Sequence, residues 1–299
     1  MATDDSEAEA LGALVAALCP GFRRREGWFR RSVKCHLVAG WLGERAVVAK
    51  RVVRPLPLWR WYLHREAALL EAFERSPPPA RWARRVAFHP ERDLLLVDHI
   101  DGSALATTRR APGVSLEALR ALIAAQRALA CWTPETGAVP SGAPPPEARR
   151  EQRSRLLEDP TDPLGWCLEG LARGASLGLL ASTDAARAQA ALRAWPRVRF
   201  SHGDLLLRNV LQGAQGLTLV DWECAGPHPE GWDLALLWPA VGDEGRALLE
   251  AVWDEQGAPA RRAYDACVLF ALVRELKFKG RGEVGELARW REEVAARLR

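Results

Sequence analysis

Apolar residues recur at helical spacing over some stretches of this chain and at strand spacing over others, so the chain is predicted to mix both element types. Strand patterns cover residues 33–38, 45–53, 86–88 and 94–97, and a helical pattern over residues 59–73 separates the two pairs. Further helical patterns cover residues 6–18, 115–131, 148–157, 163–180, 184–194 and most of 232–299. We therefore predict a strand-rich first third and a mainly helical remainder, with a Pro-, Gly- and Ala-rich loop over residues 133–146.

One segment of the helical remainder departs from this pattern, because residues 201–226 read SHGDLLLRNVLQGAQGLTLVDWECAG. A strand-like run over residues 198–200 leads into HGD at residues 202–204, and Asn209 follows shortly after. A pair of strand patterns that turns at residues 213–216 then leads into DWE at residues 221–223. Each group of polar residues thus lies on a loop beside a predicted strand, where loops can bring such groups together.

Asp and Asn are common turn residues, so a hairpin with polar turns is the alternative interpretation of either motif alone. Phosphoryl transfer needs one carboxylate to orient and deprotonate the attacking hydroxyl, and a carboxylate and an amide to hold magnesium on the nucleotide phosphates. Asp204, Asn209 and Asp221 supply these groups in order. Because both motifs occur together and each follows a strand pattern, they predict a phosphoryl-transfer centre.

The two motifs resemble those of the aminoglycoside phosphotransferase and choline kinase branch of the protein-kinase-like fold, where HGD replaces HRD and D-x-E replaces DFG. The resemblance implies an α+β, two-lobed fold, with a β-rich N-terminal lobe over residues 1–100 and a mainly helical C-terminal lobe over residues 101–299. It also implies that Asp204 is the catalytic base and that Asn209 and Asp221 bind Mg²⁺. No A-P-E segment follows DWE, and a helical pattern already begins near residue 232, so a small-molecule acceptor is favoured over a protein.

The nucleotide side of such a site is expected in the N-terminal lobe. Lys50 ends the strand pattern AVVAK, which is similar to the V-A-I-K strand of kinases, whose lysine neutralises the α- and β-phosphates of ATP. A carboxylate must hold this lysine, and Glu66 on the following predicted helix is the expected partner. Glu71 and Glu74 are the alternatives if that helix begins later, and an exposed strand end and a solvated helix face are the alternatives to any pair.

Two stretches of backbone complete the expected nucleotide site. Residues 27–33 contain only one glycine, Gly27, so backbone N–H groups near Ser32 are expected to contact the phosphates in place of a glycine-rich loop, with a plain turn as the alternative. Residues 98–102 resemble the hinge of this fold. There, backbone groups of Asp98 and Ile100 are expected to face the adenine edge.

Further residues near the motifs are candidates for auxiliary roles. Glu223 is expected to orient a metal-bound water or to bind a second ion, and Arg208 to reach a phosphate or to remain a solvated loop residue. His202 is expected to be an internal hydrogen-bonding strut of the catalytic loop. Asp233 lies in a segment that resembles the family's D-L-A, where the Asp caps the helix start and holds the catalytic loop; an ordinary N-terminal Asp is the alternative.

Composition narrows the class of protein further. The 299 residues are 48% hydrophobic and 27% charged, as in ordinary soluble proteins, and a net charge of +4 is too weak to predict a nucleic-acid partner. No apolar run approaches the ~20 residues of a spanning helix, and the N-terminus is acidic, so no membrane partner and a cytoplasmic location are expected. The cysteines are scattered without a C-x-x-C pair and are expected to be reduced thiols.

The basic residues are almost all arginine, and the lysines are Lys34, Lys50, Lys277 and Lys279. Where a lysine persists in such a chain, a specific need for an ammonium group becomes more plausible. The scarcity of lysine therefore supports the assignment of Lys50 to the nucleotide phosphates.

Together these features predict an ATP- and Mg²⁺-dependent phosphotransferase that acts on a hydroxyl of a small molecule. The alternative is a catalytically silent, kinase-like nucleotide-binding or regulatory protein, which is expected to lack one of the motif residues, and Lys50, Asp204, Asn209 and Asp221 are all present. An acidic excess over residues 241–260 suits a cationic amino-sugar or choline-like acceptor, whereas the basic excess over residues 261–299 does not resemble aminoglycoside-binding members. The acceptor, the choice between ATP and GTP and the oligomeric state stay open.

Overall fold

The computed structural model of the protein describes residues 2–54, 56–133, 145–148, 162–278 and 284–299. Its N-terminal part contains the strands β1 (Phe22–Arg31), β2 (Cys35–Leu42), β3 (Arg45–Val52), β4 (Arg81–Trp82), β5 (Arg85–His89) and β6 (Leu94–Asp98). All of these except β4 form a five-stranded antiparallel sheet in the order β1-β2-β3-β6-β5.

Strand β1 has no counterpart in the sequence pattern, because it lies at the edge of the sheet and is rich in arginine. It pairs only with β2, and its register shifts between Arg24 and Phe29. Charged residues and bulges are common on edge strands, where they prevent pairing with other chains. An apolar alternation is therefore not required for β1 to form.

Two helices cover opposite faces of this sheet. Helix α1 (Ala2–Leu18) packs on the face that carries Leu94 and Leu96, and helix α2 (Pro57–Arg75) packs on the face that carries Leu95. Successive side chains of a strand point to opposite faces, so the apolar run of β6 contributes to both cores. Pro57 at the first turn of α2 is favoured there because its fixed φ suits a helix start.

The link after β6 leads from the first sheet to the second. It continues into β7 (Ser103–Ala104) and helix α3 (Leu116–Cys131), which Ser115 caps by accepting the Ala118 N–H at 3.1 Å. The boundary predicted between residues 100 and 101 lies within this link.

The C-terminal part carries the two motifs between short strands. Helices α4 (Pro163–Ser176) and α5 (Ser182–Ala194) precede β8 (Val198–Ser201), β9 (Val210–Gly213), β10 (Gly216–Leu219) and β11 (Gly226–Pro229). Strands β9 and β10 form the predicted hairpin within a sheet of order β4-β10-β9-β7, and β8 pairs with β11. The two motifs lie on the connections β8–β9 and β10–β11, and each connection contains one turn of 3₁₀ helix.

The remaining helices are α6 (Trp232–Leu237), α7 (Asp243–Asp254), α8 (Ala258–Phe278) and α9 (Val284–Arg297). Helix α8 is buried along most of its length and forms the centre of the C-terminal core. The α+β class, with a β-sheet lobe followed by a mainly helical part, is therefore confirmed. Residues 149–157 of the helix predicted over residues 148–157 and most of the loop predicted over residues 133–146 lie outside the described residues.

Candidate active site

Lys50 lies at the centre of a group of charged side chains between the first sheet and the DWE segment. Its Nζ lies 2.7 Å from Glu66 Oε2, 2.5 Å from Asp221 Oδ1 and 3.3 Å from Glu223 Oε2. The alternative partner Glu71 instead contacts Arg85 at 3.1 Å and is about half exposed. The structure thus brings Lys50 and Glu66 together and adds both carboxylates of the D-x-E motif.

Strand β3 and helix α2 place Lys50 and Glu66 so that their side chains face each other. On β3, Val47 and Ala49 face the α1 core, which places Lys50 on the opposite face, toward the C-terminal part. Glu66 lies on the buried face of α2, and its Oε1 accepts the Trp222 N–H at 3.1 Å. The Lys50–Glu66 pair therefore also positions the backbone of the D-x-E motif.

Asp221 has a left-handed backbone conformation, with φ of 66° and ψ of 58°. Residues other than glycine rarely adopt this conformation, which is strained and is found mainly where the surroundings require it, often at functional sites. Just before it, the Val220 N–H donates to the carbonyl of Asn209 at 3.0 Å. This bond joins the two motif-bearing connections directly.

Glu223 is held from three directions. Its Oε1 contacts Lys34 Nζ, its Oε2 lies near Lys50, and its carbonyl accepts a hydrogen bond from Arg65 Nη1 at 3.0 Å. Lys34 comes from the connection between β1 and β2, and was not singled out as a site residue by the sequence motifs. Its only signal there was the scarcity of lysine in the chain.

We call Lys34, Lys50, Glu66, Asp221 and Glu223 the lysine–carboxylate cluster. Burial by itself raises the pKa of Asp221, but the nearby ammonium groups of Lys50 and Lys34 outweigh it and hold that pKa well below its usual range. Burial raises the pKa of Glu66 despite Lys50. Burial lowers the pKa of Lys50, but the surrounding carboxylates of Asp221, Glu66 and Glu223 raise it well above its ordinary value. The cluster therefore places three carboxyl groups against two lysine side chains.

The loop that carries HGD places Asp204 and Asn209 side by side. Asn209 Nδ2 donates to the Asp204 carbonyl at 2.9 Å and to its Oδ2 at 3.2 Å. Arg208 Nη2 lies 3.9 Å from the same Oδ2, and its side chain is about half exposed. The Asp204 carboxylate thus has a fixed orientation and stays partly accessible.

Asp233 and His202 hold this loop through buried hydrogen bonds. The fully buried Asp233 accepts the His202 N–H at 2.8 Å and the Gly203 N–H at 2.9 Å. His202 Nε2 lies 3.0 Å from the Val220 carbonyl, which makes it an internal strut. Asp233 thus holds the loop through backbone hydrogen bonds as predicted, whereas the predicted cap is wrong, because Gly231 occupies the N-cap of α6.

Gly203 is required by the geometry of this loop. Its φ is +83°, and a Cβ there would lie 2.2 Å from the carbonyl oxygen of Cys224. The middle residue of HGD therefore allows the two connections to approach each other closely.

Two N–H groups are engaged where β6 ends and its connection to β7 begins. Asp98 N–H donates to the Arg84 carbonyl at 2.9 Å, and His99 N–H donates to the Ala46 carbonyl at 3.0 Å. The Asp98 side chain contacts Arg45 at 2.6 Å. Trp28 of β1 makes an edge contact with the His99 ring, with 6.1 Å between the centroids.

Ser32 does not offer its own polar groups to a phosphate in this structure. Its N–H donates to the Cys35 carbonyl at 2.9 Å, and its Oγ both donates to that carbonyl and accepts the Cys35 N–H at 2.8 Å. All three bonds lie within the turn. The Ser32 N–H is therefore engaged within the turn, and contact of the phosphates with other backbone N–H groups near Ser32 stays a prediction. Lys34 is the residue of this turn whose side chain reaches the site.

The acidic excess over residues 241–260 is not part of this site. Arg261 contacts Glu250 at 3.1 Å and Asp254 at 2.6 Å, and Arg297 contacts Glu250 at 2.6 Å. These carboxylates are thus paired with the basic residues of the following helices. The charge excess therefore gives no support for a cationic acceptor.

The fold is protein-kinase-like. It combines the N-terminal sheet, which carries the Lys50–Glu66 pair, with the motif-bearing connections β8–β9 and β10–β11. Within that class the chain belongs to the phosphotransferase enzyme family, whose model matches residues 40–267. No curated protein matches the sequence. No helix among the described residues has the length and apolar character needed to cross a bilayer.

Solved structures with this fold include antibiotic phosphotransferases and a choline kinase. The chain is 18% identical to the macrolide 2'-phosphotransferase MphH from Brachybacterium faecium, over 98% of each chain, with a TM-score of 0.59. It is 14% identical to APH(2")-IIIa, solved with GDP and kanamycin, over 96% of this chain and 98% of that one, with a TM-score of 0.63. For the choline kinase LicA from Streptococcus pneumoniae the identity is 12%, over 98% of this chain and 99% of that one, with a TM-score of 0.54.

Proposed function

We propose that this protein uses Mg²⁺ and transfers the γ-phosphoryl group of ATP to a hydroxyl group of a small molecule. The observation that best supports this is the contact of Lys50 with both Glu66 and Asp221, which joins β3, α2 and the D-x-E motif around one ammonium group. Kinases of this fold need this lysine–glutamate pair and a metal-binding aspartate in place together. The family to which the chain belongs supports the reaction class.

The nucleotide lies, in this proposal, between the first sheet and the motif-bearing connections. Lys50 neutralises charge on the α- and β-phosphates, and Glu66 holds its ammonium in position. The adenine edge faces the Asp98 carbonyl and the Ile100 N–H. The neighbouring N–H groups of Asp98 and His99 already donate to the carbonyls of Arg84 and Ala46, so the Asp98 carbonyl and the Ile100 N–H are the groups proposed for this role.

The oxygen atoms of Asp221 and Asn209 would hold Mg²⁺, and Glu223 is an auxiliary ligand or orients a metal-bound water. Carboxylate and amide oxygens suit this hard cation. The residues fit, since one oxygen each from Glu66, Asp221 and Glu223 lies within 4.8 Å of the others, and Asn209 Nδ2 is already bonded to Asp204, which leaves its Oδ1 for a cation. When bound, Mg²⁺ neutralises phosphate charge that develops during transfer.

Asp204 orients the acceptor hydroxyl and takes its proton. As the bond from the acceptor oxygen to the γ-phosphorus forms, the bond from that phosphorus to the β–γ bridging oxygen breaks, and ADP leaves. The products are a phosphate monoester, ADP and a proton first received by Asp204. Asn209 keeps the Asp204 carboxylate in one orientation, and Arg208 adds positive charge beside it.

The proposal is tested by incubating the protein with Mg-ATP or Mg-GTP and a panel of hydroxyl compounds, followed by mass spectrometry for a gain of one phosphate. The panel should hold macrolides, aminoglycosides, choline and a pooled metabolite extract, since the structural neighbours include phosphotransferases for the first three. Transfer that requires Asp204 supports the proposal. Tight Mg-nucleotide binding with no transfer to any fraction would favour the catalytically silent alternative, and absence of nucleotide binding would contradict both.

A further inference from the structure

The connection between β1 and β2 sends one charged side chain into the active site. In this three-residue turn, Ser32 is bonded to Cys35, and Val33 is 68% exposed. Lys34 instead has a side chain only 24% exposed and contacts Glu223, which lies 189 positions further along the chain. The turn therefore provides a lysine that spans from the N-terminal sheet to the D-x-E motif.

Glu223 holds this lysine in the same way as it holds Lys50. Its Oε1 contacts Lys34 and its Oε2 lies 3.3 Å from Lys50, so one carboxylate lies between two ammonium groups. The Arg65 bond to the Glu223 carbonyl fixes the backbone at this point. Both ammonium groups thus face the space where the phosphates lie in the proposed function.

The sequence lacks the usual groups that cover phosphates at this position. A glycine-rich loop binds phosphate through several backbone N–H groups, but this chain has only Gly27 there, and the Ser32 N–H is used within the turn. A lysine supplies a compact point charge with three donors on a flexible stem, which can follow a phosphate through a change of geometry. Lysine is rare in this chain, where arginine is the usual basic residue.

We propose that Lys34 is a phosphate-binding residue that replaces the glycine-rich loop, and that Glu223 holds it until the β- and γ-phosphates of the nucleotide take its ammonium group. This inference rests on the proposed function, because it requires a nucleoside triphosphate at the site. It makes Glu223 a competitor of the phosphates for Lys34 in the absence of metal. A purely structural ion pair between the two lobes would not have this property.

The first test measures nucleotide affinity by calorimetry for the parent, Lys34→Met, Lys34→Arg and Arg25→Met, in EDTA and in Mg²⁺. Arg25 is exposed on β1, so its substitution removes the same charge without touching the site. We expect Lys34→Met to weaken ATP binding about 10- to 100-fold, as for loss of a charged hydrogen bond, and to leave adenosine binding unchanged. Arg25→Met should bind as the parent, and Lys34→Arg should retain most of the ATP affinity because it keeps the charge.

The second test adds Glu223→Gln, alone and with Lys34→Met, and measures ATP binding in EDTA so that no metal ligation enters. Removing the competing carboxylate should strengthen metal-free ATP binding in the single variant. This gain in ATP affinity should be smaller in the double variant, because Lys34 is absent and cannot be released from Glu223 to bind the phosphates. The ratio of ATP to adenosine affinity is used throughout, since it does not depend on the folded fraction.

Different outcomes separate the inference from the function on which it rests. If the parent binds ATP but Lys34→Met has the same ATP-to-adenosine ratio, the Lys34 assignment is wrong and the proposed function stands. If Glu223→Gln strengthens metal-free ATP binding equally in the parent and in Lys34→Met, the Lys34 assignment is also wrong. If the parent binds neither ATP nor GTP, both proposals fail together.

Discussion

Two groups of charged residues in this molecule each contain three carboxylates and two basic residues, and they differ in how the basic groups contact the carboxylates. The lysine–carboxylate cluster joins elements of both sheets, and its members have side chains from 6% to 27% exposed. The second group, which we call the C-terminal arginine network, joins the neighbouring helices α7, α8 and α9. It comprises Arg261, Arg297, Glu250, Asp254 and Asp265.

In the network, Arg261 contacts Glu250, Asp254 and Asp265 through three different nitrogen atoms of its guanidinium group. Asp254 is 62% exposed, so water and salt screen its pair with Arg261, whereas the side chains of the other members are 3% to 26% exposed. In the cluster, the single Nζ atom of Lys50 contacts all three carboxylates, and Asp221 has a strained backbone. Because strained residues are found mainly at functional sites, the cluster is the stronger candidate for a ligand site.

The largest effect is expected at Asp204, the proposed catalytic base, which Asn209 holds in place. Asp204→Asn should lower transfer to the acceptor by about 10²–10⁴-fold, as is typical for loss of a general base, because the amide cannot take the hydroxyl proton. Mg-ATP affinity should stay nearly the same, since Asp204 touches the acceptor. Single-turnover rates measure the loss of transfer, and calorimetry measures the Mg-ATP affinity. A near-parental transfer rate in Asp204→Asn would contradict the assigned mechanism.

The next effect is expected at Asp233, which supports the catalytic loop. Asp233→Ala leaves the buried N–H groups of His202 and Gly203 without an acceptor, at a cost of about 1–3 kcal/mol for each group. Urea unfolding should show this loss together with reduced transfer. An inactive variant with unchanged stability would instead indicate that Asp233 takes part directly in chemistry or binding.

A smaller, pH-dependent effect is expected in the network at Glu250. Burial raises the pKa of Glu250, but hydrogen bonds from Arg297 and Trp238 outweigh it and lower the pKa below its ordinary value of 4.5. The stability from Glu250 is therefore present above that value and is lost as the pH falls through the folded-state pKa. The free energy of unfolding of Glu250→Gln should lie below that of the parent at neutral pH, and the gap should close in acid. A constant gap at every pH would contradict this assignment.

The smallest effect is expected at the rim of the network. Asp254→Asn removes one exposed partner of Arg261 and should change the free energy of unfolding by less than about 1 kcal/mol. Transfer should be unaffected, because the network lies outside the active site. If this variant lost as much activity as a variant in the cluster, the proposed division between the two groups would not hold.

The parts of the site that the sequence predicted are those that local spacing specifies. HGD, Asn209 and the D-x-E motif lie on connections of the hairpin unit, so strand and turn patterns were sufficient to bring them together. Glu66 was the expected partner of Lys50 because the helical pattern begins before it. In the structure Glu66 contacts Lys50, whereas Glu71 lies on the exposed side of α2.

The parts that were not predicted depend on long-range contacts. Lys34 meets Glu223 across 189 positions of the sequence, and no local pattern in the β1–β2 turn indicates that contact. The acidic excess over residues 241–260 was misleading for the same reason, since its partners lie on α8 and α9. Strand β1 forms by pairing at a sheet edge, which an arginine-rich pattern does not reveal.

The most direct measurement is a calorimetric titration of ATP, with and without Mg²⁺, into the parent, Asp221→Ala and the matched control Asp254→Asn. Because Asp221 is the proposed metal ligand within the lysine–carboxylate cluster, Mg²⁺ should strengthen ATP binding in the parent and in the control, and Asp221→Ala should lose nearly all of that gain. If Asp221→Ala binds Mg-ATP as tightly as the parent, with the same dependence on Mg²⁺, the cluster is not the metal and nucleotide site.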